Sequence, residues 1–109
     1  MTGETQRGEN EVRCALGDAQ VEDAYSLLLS RSFADAREVC ETLCAADDPR
    51  IAAEGLLVTG ILVAMTEPPG REIDHLRQAE RAFVMLGDHA RAAEAGDMLA
   101  TYMRQDLLL

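Results

Sequence analysis

The chain has 109 residues, enough for one domain with a single core and too few for two. Apolar residues make up 48% but aromatics only 4%, so a core has to be built from Leu, Ala, Val, Ile and Met, the mixture of packed helices. Twenty acidic residues against ten basic ones give a formal net charge of −10, which makes nucleic-acid backbone and anionic membrane poor partners and a basic protein surface or peptide a better one.

All ten basic residues are Arg, a bias of the kind GC-rich bacterial genomes produce. The segment "MTGETQRGENEV" has no apolar stretch of signal-peptide type, and three cysteines make an odd set, so a reducing cytoplasm is the expected compartment. Residues 1–12 are polar and read as a disordered tail, with a single helical domain over 13–106 and an apolar tail at 107–109.

Five helices follow in chain order. The first runs from Gly17-Asp18 to about Arg31, with Val21, Ala24, Tyr25 and Leu28 on one face. Ser32 starts the second, with Asp35 three residues on as an acidic variant of the capping box. Its apolar stripe is Ala36, Val39, Cys40 and Leu43. The third begins at "DDP", where Asp48 can cap and Pro49 fits the first turn, and it ends at "EPPG". Between them "AAEGLLVTGILVAM" (52–65) is apolar nearly all round, the mark of a helix with neighbours on most sides. Its uncharged run is too short for a bilayer, which needs ~20 apolar residues. The fourth helix, 71–86, carries Ile73, Leu76, Ala79, Phe83 and Leu86. Gly87 stops it, and Asp88 caps a fifth over 89–105 with Ala92, Leu99, Ala100, Tyr102 and Met103. The short turns predict an all-α protein of antiparallel neighbours, and no strand pattern competes.

An internal period adds to this. At an offset of forty residues "AAE" 52–54 meets "AAE" 92–94, Asp48 meets Asp88, Leu43 meets Phe83, Ala36 meets Leu76 and Gly60 meets Ala100. With Phe33 in the inter-helix turn, Ala36, the closing Asp48-Pro49 and Gly60 as a close-approach position, residues 18–105 resemble the tetratricopeptide-repeat family. The resemblance implies about two and a half units of antiparallel helix pairs in a right-handed α-solenoid fragment. A compact four- or five-helix bundle is the alternative architecture.

The sequence offers little to catalysis. Cys40 and Cys44 stand at i, i+4, but a metal site would need two further ligands, and Cys14, His75 and His89 fall at no recognised spacing. No cofactor and no metal are expected. His75 and His89 follow Asp74 and Asp88 directly, and adjacent residues on a helix do not face each other.

The resemblance instead implies a binding face on the first helix of each pair. Carried over by position, it holds Val21, Tyr25 and Leu28, then Glu54, Leu57, Ile61 and Met65, then Glu94, Asp97, Thr101 and Arg104. Leu57, Ile61 and Met65 are either core or the wall of a groove that a partner covers, with acidic residues at the rim selecting Arg or Lys. The expected function is non-enzymatic capture of a peptide or helix of another protein, in an adaptor, chaperone-like or regulatory role. A homo-oligomeric assembly module, aided by Leu107, Leu108 and Leu109, is the alternative, and a small-ligand-binding protein or small enzyme a further one.

Overall fold

Asp48 accepts a hydrogen bond from the backbone N–H of Arg50 (2.8 Å) and Asp88 one from Arg91 (3.1 Å), so both predicted caps open a helix. The structure, a computed structural model, describes the backbone of residues 2–108 and the side chains of residues 16–105. The described residues form five helices and no strand: α1 (Thr2–Leu29), α2 (Phe33–Cys44), α3 (Pro49–Thr66), α4 (Glu72–Met85) and α5 (His89–Leu108). The fold is all-α.

The α1 backbone is helical over residues 2–12, where the sequence predicts a disordered tail. Leu107 and Leu108 are likewise within the α5 backbone rather than a separate tail. The side chains of Cys14 and of residues 107–109 lie outside the described residues.

α1 and α4 end in the same way. Arg31 and Gly87 both have positive φ, 60° and 76°. In each case the next N–H reaches five residues back, Ser32 to Leu27 and Asp88 to Phe83, while the positive-φ residue bonds three back. This is the Schellman arrangement. It explains why the predicted capping box at Ser32 does not form. The Ser32 N–H belongs to the end of α1, its backbone (φ −83°, ψ 66°) is not extended, and its hydroxyl lies 3.1 Å from that of Ser30.

Two core clusters share α3. On one side Ile51, Val58 and Leu62 pack with Ala24 and Leu28 of α1 and Ala36, Cys40 and Leu43 of α2. On the other, Ala53 and Leu57 pack with Leu76, Ala79 and Phe83 of α4 and Ala92, Ala95 and Leu99 of α5. Helices on both sides are the reason α3 is apolar nearly all round. Fully burying an aliphatic side chain such as Leu57 or Leu43 contributes ~1.5–3 kcal/mol.

Positions forty apart do matching work in these clusters. Leu43 and Phe83, and Ala36 and Leu76, are all fully buried. The match stops at α5. Its buried positions are Ala92, Ala95 and Leu99, whereas Ala100 and Met103 are exposed, as is Leu86 at the end of α4. The predicted stripe on α5 was therefore too wide. The buried apolar positions of this helix pack against α4 and α3.

Candidate interaction face

Glu54 is the only charged residue between Arg50 and Glu67 on α3, and the fold buries it. A buried carboxylate needs a partner. Arg91 supplies one from the first turn of α5. Its Nε donates to Glu54 Oε1 at 2.8 Å, and its Nη2 donates to Glu54 Oε2. Arg91 Nη1 also donates to Glu94, one turn further along α5, and the guanidinium carbon sits 5.4 Å from the centroid of the Phe83 ring. The hydrogen bonds to Glu54 hold the Arg91 pKa above its ordinary value against the opposing effect of burial.

Around this pair α1, α3 and α5 line an open pocket of about 450 Å³. α1 contributes Asp18, Val21, Glu22 and Tyr25, and α3 contributes Arg50, whose Nη1 donates to Asp18 at 2.8 Å. Burial pushes the Tyr25 phenol above its ordinary pKa; Arg91 works against that shift and the Glu54 and Glu94 charges add to it. The pocket wall thus alternates carboxylates and guanidinium groups around one aromatic ring.

The structure divides the predicted site residues. Val21, Tyr25 and Glu54 come together in this pocket, with Glu94 tied to it through Arg91. Leu28 (3% exposed) and Leu57 (0%) are core, which decides between the two readings of Leu57. Ile61 is half-buried against the α1–α2–α3 cluster, and Met65 is 43% exposed. Asp97, Thr101 and Arg104 continue along α5 as exposed residues, and the Thr101 hydroxyl donates back to the Asp97 carbonyl at 2.8 Å.

Sequence reasoning missed Asp18, Glu22, Arg50 and Arg91. One signal was available: a single carboxylate inside an apolar helix demands a cation somewhere. Its partner is 37 residues away, however, and no local pattern selects Arg91 from ten arginines.

Among the described residues no group of three or more His, Cys, Asp or Glu side chains is arranged to hold a metal ion. Cys40 is buried, and burial pushes its thiol pKa up, which disfavours the reactive thiolate. α3 is the one described helix long and apolar enough to cross a membrane, and half of that stretch is buried within the fold.

No family model, curated protein or solved structure matches the chain.

Proposed function

We propose that the protein is a non-enzymatic interaction module whose α1–α3–α5 face captures a peptide or helix of a partner protein in the cytoplasm. The observation that carries this reading is the open pocket of about 450 Å³ built jointly by the three helices. Its lining has three carboxylates (Asp18, Glu22, Glu54) and two guanidinium groups, and the chain as a whole carries −10, so the complementary partner presents Arg or Lys. Met65 extends the face with exposed apolar surface. Matched burial at Leu43 and Phe83, and matched caps at Asp48 and Asp88, support a tetratricopeptide-like array of about two and a half units.

Affinity capture from native cell extract tests the face. Glu22 and Met65 are both exposed, so Glu22→Arg and Met65→Asp should leave the circular-dichroism spectrum and melting temperature unchanged. Both variants should lose the captured protein. A partner retained equally by the wild type and both variants would place binding elsewhere.

Self-association is the second reading, favoured by exposed Val84, Met85 and Leu86 at the end of α4. Light scattering separates the two. A mass that doubles with concentration and reverts to monomer in Met85→Asp selects the homo-oligomer.

A further inference from the structure

The exposed side of α4 differs from the rest of this acidic chain. Arg77, Arg81, Val84 and Met85 stand at i, i+4, i+7 and i+8, so they share one helix face, and all four are exposed. Met85, at 89%, is almost wholly in solvent. Neither Arg77 nor Arg81 makes an ion pair with a described residue, and like charges one turn apart repel. Asp74 is the one carboxylate on this side of α4, so two positive charges stand against one negative. Glu80, on the flank, lies against Gly96 of α5 instead. A cationic helix face with an apolar tip and no counter-ions of its own is complementary to an acidic surface that has an apolar part.

The chain carries such a surface at the α1–α3–α5 pocket. Four carboxylates (Asp18, Glu22, Glu54 and Glu94) stand there against the two guanidinium groups of Arg50 and Arg91. Arg91 is shared between Glu54 and Glu94, and Glu22 makes no ion pair with a described residue. Val21 and Tyr25 supply the apolar part of the wall. No described residue of α4 lines this pocket, so the two surfaces belong to different elements and meet only between copies.

We propose that the pocket of one copy receives α4 of a second copy, with Met85 entering beside Val21 and Tyr25 and Arg81 pairing with Glu22. Unlike surfaces are joined, so the contact is head-to-tail and each pair of copies leaves one surface of each kind open. The charge of −10 on each copy repels the other at a distance, but physiological salt screens it beyond ~8 Å, whereas the paired groups touch. The inference rests on the α1–α3–α5 face being a binding face, as in the function proposed above, and a partner protein there would compete with the second copy.

Light scattering at physiological salt should show a mass that rises with protein concentration. Arg77→Glu combined with Arg81→Glu removes the α4 surface, and Glu22→Arg removes the pocket. All three positions are exposed, so the circular-dichroism spectra should not change. Each variant alone should self-associate about tenfold more weakly than the wild type or less. Mixed in equal amounts, the two variants should associate as tightly as the wild type, because one keeps an intact pocket and the other an intact α4. The proposal is overturned if the mixture stays monomeric, or if Glu22→Arg self-associates like the wild type, as a contact of α4 with α4 would. It is also overturned if the wild type is monomeric up to its solubility limit. That last result, together with loss of a captured partner protein in Glu22→Arg, would leave the function proposed above standing without the second copy.

Discussion

Arg91 of α5 grips Glu54 of α3 through two guanidinium nitrogens, and this pair ties the last helix to the middle one. Glu54 retains 11% and Arg91 28% of side-chain exposure, so water screens the pair only weakly. Removing one partner leaves a buried charge without compensation. Arg91→Leu should therefore cost about 2–4 kcal/mol, while combining it with Glu54→Leu should cost much less than the single change. Urea denaturation of the wild type, both singles and the double gives the coupling energy. Additive single effects would show that the pair does not hold α5.

Two glycines of α3 contrast in what surrounds them. An added Cβ at Gly55 would lie 2.7 Å from the backbone nitrogen of Cys44 and 2.8 Å from the carbonyl carbon of Leu43. Backbone of a packed helix end cannot step aside. At Gly60 the obstacles are Leu76 Cδ2 and Cγ, at 2.7 and 2.9 Å, and a leucine side chain can re-orient. Gly55→Ala should destabilise by about 1–3 kcal/mol through overpacking. Gly60→Ala should cost less, because the Leu76 side chain can turn aside, whereas the helix-propensity gain of about 1 kcal/mol is common to both changes. Melting temperatures of the two variants rank them, and the reverse order would contradict the packing.

Arg31 holds φ 60° where its counterpart Gly87 holds 76°. A left-handed backbone costs an ordinary residue roughly 1–2 kcal/mol, part of which glycine returns through its larger unfolded-state entropy. Arg31→Gly should raise stability by about 0.5–1 kcal/mol, and Gly87→Ala should lower it by about 1 kcal/mol. Neither position has packing to confuse the result: Arg31 is exposed, and an added Cβ at Gly87 meets nothing within 4 Å. A lower melting temperature for Arg31→Gly would show that its side chain is needed at the turn.

The caps at Asp48 and Asp88, the stop at Gly87 and the stripe Ala36–Cys40–Leu43 were legible because each is a local rule acting within one turn of helix. The resemblance marks Gly60 as a close-approach position but gives no sign of the other one, Gly55. The difference is what approaches, and a sequence does not say that α2 ends against Gly55. The same limit governs the site. The tetratricopeptide resemblance implies one face for Val21, Tyr25 and Glu54, but the cations between them arrive from other turns of the chain, Arg50 to Asp18 and Arg91 to Glu54. The resemblance puts Leu57, Ile61 and Met65 in one row, either core or groove wall. It is instead graded from core to solvent, because the second cluster closes around Leu57 and leaves Met65 open.

The two tyrosines offer a titration that reads both ends of the α1–α5 arrangement, since the chain has no Trp to overlap their absorbance. Both phenols are raised above the ordinary value of 10.0. In each, burial is the largest cause; the charge of Glu54 adds to it at Tyr25 and that of Glu72 at Tyr102. The folded protein thus keeps both protons to higher pH than the unfolded chain does. The resulting stability is fully present below pH about 10 and is lost as pH rises through the folded-state values. Phenolate absorbance should appear at higher pH than in the urea-unfolded protein, and stability should fall with pH in that window. Tyr25→Phe should remove the Tyr25 share of the fall and leave that of Tyr102. In Arg91→Ala the Tyr25 phenol loses the group that lowers its pKa and should titrate later still, provided circular dichroism shows α5 in place. Titration of both tyrosines at the unfolded value would mean that neither ring is held in the protein as described.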